Sequence, residues 1–189
     1  ENLRFVGEVF GTYIIAQRGK ELCFIDKHAA HERILYEKLA ENYGRVDSQL
    51  LMQPVVVQLS ADEKNALLAA KELLADSGIE LDDFGAGTVA VRTVPADVVP
   101  ADVEDLVVDV AGRLLADPRQ TVSEKTEWVL HSIACRAAVK AGDKTHPTRL
   151  LQLAQAVLDG KIPPFCPHGR PVALRVTLKE LEKQFGRQG

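Results

Sequence analysis

An aspartate, a histidine and a glutamate lie close together at a predicted strand-to-helix junction, at positions 26, 28 and 32. The apolar run 22–25 predicts a strand, and the apolar spacing of residues 34–43 predicts a helix after it. Asp26 can therefore cap the helix, while His28 and Glu32 project from one helical face. These donors suit Zn²⁺ or Mn²⁺. An ordinary N-cap beside a solvated His–Glu pair would give the same pattern, so this segment alone leaves both interpretations open.

Two further segments carry candidate chemistry. Cys166 and His168 stand two apart among prolines and glycine, which predicts a rigid loop that offers a thiolate and an imidazole to zinc. Arg170 in the same loop could hold a phosphate. A turn with a buried cysteine is the alternative. Cys135, next to Arg136 among small helical residues, is by itself more typical of core packing.

Turn residues and hydrophobic spacing predict the elements that position these residues. Strands are expected at 6–17 and 21–25 around a turn at Arg18-Gly19. Later strands are expected at 48–59, 79–84, 88–94 and 172–176. Helices are expected at 28–43, 61–75, 101–116, 123–141, 147–158 and 178–185, with capping residues Ser60 and Thr177. The pattern is that of an α+β protein with two subdomains, one from both chain ends (1–53 plus 143–189) and one inserted (54–142), with helix 123–141 at the junction.

Composition restricts the functional classes. The 189 residues are 46% hydrophobic and 26% charged, typical of a soluble globular protein, and we expect neither a membrane span nor a signal peptide. Three widely spaced cysteines fit a reducing cytoplasm. Because residue 1 is Glu rather than Met, we expect a piece of a longer protein. The net charge of −4 argues against strong free-standing DNA binding, but residues 122–189 carry 11 lysines and arginines against 6 acids.

Taken together, the three segments resemble the C-terminal domain of the MutL mismatch-repair family. Residues 26–37 are similar to its endonuclease motif, residues 134–136 to its Ala-Cys-Arg motif, and residues 166–171 to its Cys-Pro-His-Gly-Arg-Pro motif. Phe185-Gly186-Arg187 stands where the family has a Phe-x-Arg ending. One departure is Lys27, which replaces a glutamine; we expect its side chain to point away from the metal ligands.

The resemblance implies a latent, sequence-nonspecific DNA nicking endonuclease that forms a homodimer and uses Mn²⁺ for cleavage and Zn²⁺ in a structural or regulatory part. Asp26 would be the catalytic acidic residue, and Glu32 would bridge two ions. The implied metal ligands are His28, Glu32, Cys135, Cys166 and His168. Arg136, Lys140, Arg170 and Glu37 would support the site or contact phosphate. The end-derived subdomain would dimerise, and the inserted one would be regulatory.

Partners also follow from the resemblance. Gln49, Met52 and Pro54 match the family's motif for the replication sliding clamp, although these residues could equally begin a strand. Weakly bound double-stranded DNA, a mismatch-recognition protein and the N-terminal ATPase of the same chain are the other implied partners, in a bacterial, nucleoid-associated setting. Candidate dimer surfaces are the hairpin face of Val6, Val9, Tyr13 and Ile15 and the terminal strand.

Two other functions remain open. A dimerisation module with a structural zinc would keep the fold without needing Asp26. A thiol hydrolase based on Cys166 and His168 is less favoured, because no orienting third group is evident. We expect His31 to face solvent and His131 to serve packing or the surface, while the role of His146 is open.

Overall fold

The computed structural model describes residues 2–187 and has an α+β fold, 44% helical and 27% strand, as predicted. The strands are β1 Leu3–Val9, β2 Tyr13–Arg18, β3 Glu21–Asp26, β4 Ser48–Gln58, β5 Glu80–Gly85, β6 Thr88–Pro95 and β7 Ala173–Thr177. The helices are α1 Lys27–Glu41, α2 Ala61–Ala69, α3 Lys71–Asp76, α4 Val103–Ala116, α5 Val122–Ala137, α6 Pro147–Leu158 and α7 Leu178–Gln184.

The chain divides into two compact units. One contains residues 1–34 and 138–189, and the other contains residues 35–137. The sequence placed these divisions after residues 53 and 142, whereas the first falls within α1 and the second at the end of α5. The assignment of dimerisation and regulatory roles to the two parts stays a prediction.

The first unit is built on an antiparallel sheet in the order β1-β2-β3-β7. β7 pairs with β3, with Phe24 opposite Leu174, so the end of the chain completes the sheet of the N-terminal hairpin. One face of this sheet packs against α6 and the first turns of α1. The core contains Ile14, Ala16, Cys23, Ile25, Ala29, Ala30, Leu150, Leu153, Ala154, Val157, Leu158, Ile162, Cys166 and Val172.

The strand predicted over 6–17 is wrong, because the chain reverses in the middle of that range. Phe10 and Gly11 have φ values of +55° and +57°, and they separate β1 from β2. The carbonyl of Gly11 accepts a hydrogen bond of 2.8 Å from the Gly142 amide. A Cβ at Gly11 would lie 3.1 Å from Gly142 Cα, so this close approach of two backbones favours glycine.

The second unit contains an antiparallel sheet in the order β4-β6-β5. The pairing of β4 is irregular between Leu50 and Val55, where Pro54 cannot donate a hydrogen bond. Ser60 and Glu63 form the predicted capping box at the start of α2. The single helix predicted over 61–75 is interrupted at Ala70, between α2 and α3.

None of the helices between residues 2 and 187 has both the length and the apolar character that a bilayer crossing requires.

Candidate metal centre

Asp26 ends β3 and caps α1, as predicted. Its backbone amide donates to the carbonyl of Val172 at 3.0 Å, and its Oδ1 accepts a hydrogen bond of 3.0 Å from the Ala29 amide. The second carboxylate oxygen, Oδ2, makes no hydrogen bond within the described part of the chain. Asp26 is therefore fixed through one oxygen and retains a second one for chemistry.

His28 lies one turn before Glu32, and both of its ring nitrogens have defined neighbours. Nδ1 lies 2.7 Å from the carbonyl oxygen of Val139, and Nε2 lies 3.2 Å from Glu32 Oε2. A carbonyl oxygen only accepts, so Nδ1 carries a proton. In a neutral imidazole the lone pair of Nε2 would then face a carboxylate oxygen. Two acceptors at this distance repel each other unless a proton or a cation lies between them.

Glu32 is the centre of the cluster in the first unit. Its side chain is only 1% exposed, although a buried carboxylate is costly unless it is paired or bound to a metal. Oε2 faces His28, while Oε1 lies 3.9 Å from Nδ1 of His168. Each carboxylate oxygen therefore lies next to a different imidazole, as expected for a carboxylate that bridges two ions.

The loop after α6 places the second group of donors. Cys166 donates its amide to the carbonyl of Arg170 at 2.8 Å, and Gly169, with φ +82°, donates to the carbonyl of Cys166 at 2.9 Å. These bonds form a tight loop that closes with a bridge between Phe165 and Pro171. Inside it, Cys166 Sγ lies 4.0 Å from His168 Nδ1. The predicted rigid loop is therefore present.

The spacing of these atoms fits shared ions. Ligand atoms bound to one tetrahedral zinc at 2.0–2.3 Å lie about 3.3–3.8 Å from each other. The observed separations of 3.2, 3.9 and 4.0 Å lie close to this range. In addition, the Val139 carbonyl orients the His28 ring as backbone carbonyls commonly do for metal-bound histidines. Glu32 thus lies next to His28 and His168, and Cys166 lies next to His168, although the loop that carries Cys166 and His168 is remote in sequence from α1.

The other predicted site residues have more varied surroundings. Cys135 is half-buried in the last turn of α5, within the second unit, and its role as a ligand stays a prediction. Arg136 Nη1 lies 3.5 Å from Asp105 Oδ2 in that unit. In the first unit, Lys140 Nζ donates to the carbonyl of Ala138 at 3.0 Å. Of the remaining predicted residues, Arg170 is exposed in the loop that carries Cys166, and Glu37 is half-buried on α1.

Three histidines outside the predicted ligand set have structural surroundings. The prediction that His31 faces solvent is wrong, since it is 8% exposed and its Nδ1 accepts a 3.0 Å hydrogen bond from the Val139 amide. A loop remote in sequence covers this side of α1, which helical spacing could not reveal. His131 is buried with its ring edge toward Trp128, and the packing role expected for it stays a prediction. His146 caps α6 by accepting from the Thr148 amide.

Lys27 is fully buried, and its ammonium group bonds to residues that are not predicted metal ligands. Its Nζ donates to Glu8 Oε1 and to the carbonyl of Asp143, each at 2.6 Å. The lysine therefore connects β1 and the loop after residue 138 to the start of α1. The sequence did not indicate this ion pair, because its partners are 19 and 116 residues away.

Cys23 is the one cysteine outside the predicted ligand set. It lies in the sheet core with no exposed surface, and burial raises the pKa of its thiol. A thiol that stays protonated is a poor metal ligand.

The segment predicted to bind the clamp lies in β4. Met52 and Leu50 are fully exposed or nearly so, at 104% and 78%. Gln49, however, is turned inward, and its Nε2 donates to the carbonyl of Val98 at 2.7 Å, with Ala96 O at 3.2 Å. The glutamine already holds the loop after β6.

The sheet face opposite the core of the first unit is apolar. Ile15, Phe24 and Leu174 stand opposite one another across β2, β3 and β7. Leu174 is 62% exposed and Tyr13 is 42% exposed. Of the positions predicted for the dimer surface, Tyr13, Ile15 and Leu174 lie on this face, whereas Val172 is in the core. The use of this face for dimerisation stays a prediction.

Residues 6–145 match the family described as the MutL C terminal dimerisation domain. Several curated proteins named DNA mismatch repair protein MutL are similar over nearly the whole chain. The protein of Clostridium botulinum (strain Kyoto / Type A2) is 37% identical over 188 residues, which are 98% of this chain and 28% of that protein. Those of Caldanaerobacter subterraneus and Methanoculleus marisnigri are 38% and 39% identical over 187 and 184 residues, covering 98% and 96% of this chain and 32% of each relative. The chain thus spans less than a third of the length of these relatives.

Proposed function

Since this chain belongs to the family of MutL C-terminal dimerisation domains, we propose that it is the metal-dependent, latent DNA nicking domain of a mismatch-repair protein. Membership of this family supports homodimer formation. The observation that carries the nuclease proposal is the buried Glu32 carboxylate between His28 and His168, with the Cys166 thiol beside the second imidazole.

The donor set fits divalent ions. Glu32 would bridge two ions, His28 would bind through Nε2, and Cys166 with His168 would supply the donors that favour zinc. Cys135 would complete the set. Bound Mn²⁺ would polarise a phosphodiester and activate water, the usual contribution of paired metal ions.

The residues of the chain would position the attacking water and the phosphate, and would accept a proton. Asp26, held by the Ala29 amide through Oδ1, would use Oδ2 to orient the attacking water and accept its proton. Arg170, exposed on the loop that carries Cys166, would hold a phosphate oxygen next to the cleaved bond. Arg136, Lys140 and Glu37 would support the surrounding charge. Because these residues would act on the phosphodiester backbone, which carries no sequence information, nicking would be sequence-nonspecific.

The test is nicking of supercoiled plasmid in Mn²⁺ by the Asp26→Asn variant. We expect a loss of about hundredfold or more, the usual range for removal of a general base, with dimers intact. Asp159→Asn, which changes an exposed acid just after α6 in the same unit, is the matched control and should nick normally. Full activity of Asp26→Asn would contradict the assignment.

A dimerisation module with a structural zinc is the second candidate. Cys166 and His168 favour it, because a thiol and an imidazole are typical structural zinc donors. Asp26 separates the two functions, since a closed zinc site has no use for a carboxylate outside its ligand set. Retained zinc together with absent nicking in the unmodified protein would select this candidate.

The proposed partners include the sliding clamp. Leu50 and Met52 offer exposed apolar anchors, but Gln49 would have to leave the Val98 carbonyl to act as in a free clamp peptide. We expect Met52→Ala to weaken clamp binding in a pull-down and Val56→Ala, at another exposed position of β4, to leave it unchanged. The mismatch-recognition protein and the N-terminal ATPase are proposed from the family alone.

A further inference from the structure

A basic groove lies at the end of the first unit's sheet that is opposite to Asp26. It is a cavity of about 790 Å³ between the β2–β3 turn and α7. The charged side chains that line it are Lys20, Lys179, Lys183, Arg187, Glu21 and Glu182.

The balance of charge in the groove is positive. The groove is lined by four lysine or arginine side chains and two carboxylates. One of the carboxylates, that of Glu21, is paired with Arg175, whose Nη1 lies 3.5 Å from Glu21 Oε2. A neighbouring cavity of about 360 Å³ extends around the same turn past Gly19 to Arg4. The first unit as a whole carries 14 lysines and arginines against 9 acids, whereas the second carries 9 against 18. A polyanion would therefore be attracted to the first unit and repelled by the second.

The groove has a defined framework. The amide of Leu178 donates to the carbonyl of Lys20 at 2.8 Å, which fixes the start of α7 to the β2–β3 turn. Thr177 and Glu180 form a capping box at the same point. At the other end of α7, the Arg187 amide donates to the carbonyl of Glu182 at 2.8 Å. Both walls are held by backbone hydrogen bonds, so the cations are presented on an ordered surface.

We propose that this groove, which we call the α7 groove, binds the phosphate backbone of duplex DNA and holds it for cleavage at the metal centre. The inference rests on the proposed nuclease function. From Glu21 to Asp26 the strand β3 rises about 17 Å, at roughly 3.4 Å per residue. Because duplex DNA rises about 3.4 Å per base pair, one duplex could contact the groove about five base pairs away from the cleaved phosphate. Phosphate contacts of this kind position DNA without selecting a sequence.

The test is the salt dependence of binding to a fluorescent 30-base-pair duplex, measured by anisotropy without divalent metal. The variant Lys20→Glu/Lys179→Glu/Lys183→Glu should bind about tenfold or more weakly at 100 mM salt. Its slope of log K against log salt should fall by about 2 to 3, since each lost phosphate contact removes about 0.9. Lys183→Glu alone should lower the slope by about 1. The control Lys161→Glu, exposed in the same unit outside the groove, should change it little.

The outcomes separate this proposal from the nuclease assignment. Asp26→Asn should lose nicking and keep duplex binding, whereas the triple variant should raise KM for nicking in Mn²⁺ and keep kcat at saturating DNA. Equal salt slopes for the triple variant and Lys161→Glu would overturn the α7 groove as a DNA site. Loss of the dimer without a change in DNA binding would also overturn it, by showing that the groove receives a second copy of the chain.

Discussion

The ion pair between Lys27 and Glu8 should contribute strongly to the stability of the first unit. The lysine side chain has no exposed surface and that of the glutamate is 21% exposed. Besides Glu8, the ammonium has the carbonyl of Asp143 at 2.6 Å. Replacing Glu8 with Gln would leave the buried Lys27 ammonium with neutral partners only. Glu8→Ala would leave it with a single partner, the carbonyl of Asp143.

The expected magnitude follows from this burial. Removing one partner of a buried ion pair usually lowers the free energy of unfolding by about 3–5 kcal/mol. Because Glu8 is partly exposed, we expect Glu8→Ala to lower it by about 3 kcal/mol. The double variant Glu8→Ala/Lys27→Met removes the buried charge altogether and should recover most of this loss. The interaction free energy from the double-mutant cycle should therefore be about 2 kcal/mol or more.

The assay is urea unfolding followed by far-ultraviolet circular dichroism, with hydrogen exchange of residues 3–18 reporting on the hairpin. The exposed pair Arg175–Glu21 provides the matched control, because its side chains are 51% and 39% exposed. Glu21→Ala should change the free energy of unfolding by about 1 kcal/mol or less. If Glu8→Ala costs no more than Glu21→Ala, the buried charge does not dominate and the reasoning is refuted.

Three other predictions concern the thiols, the sheet face and the clamp segment. Because burial raises the pKa of Cys23, its contribution to stability is complete below pH 9 and is lost as pH rises further; unfolding by urea at pH 8 and pH 10 should show the decline in the parent and a smaller one in Cys23→Ala. Leu174→Asp should convert the dimer to monomer in sedimentation velocity without unfolding it, because the residue is 62% exposed; an unchanged dimer would exclude this face as the interface. Gln49→Ala should lower the free energy of unfolding by about 1–2 kcal/mol, whereas Met52→Ala should leave it unchanged; equal effects would contradict the inward contact of Gln49 with Val98.

Local signals predicted most of the elements. Ser60 and Thr177 determine helix starts by hydrogen bonds within three residues, so their capping boxes could be read from the sequence. The turn at Phe10-Gly11 was missed because strand-favouring residues lie directly on both sides of Gly11. Its glycine is explained by a contact with Gly142, far along the chain, that no local pattern contains.

In the candidate site, too, contacts within one helix could be predicted from the sequence, whereas contacts between remote segments could not. Helical spacing alone predicted that His28 and Glu32 are neighbours, and their atoms lie 3.2 Å apart. The approach of His168 to Glu32 depends on how the loop after α6 returns to β3, so only the family resemblance could anticipate it. His31 and Lys27 were misjudged or missed because their partners come from the loop after residue 138 and from β1.

The most direct test of the metal centre is anomalous diffraction from crystals grown with Mn²⁺ and Zn²⁺, recorded at both absorption edges. We predict ions about 2.0–2.3 Å from the Glu32 carboxylate and from donors among His28, Cys166 and His168. Anomalous density only at other sites, with Glu32 bound to no ion, would contradict the account.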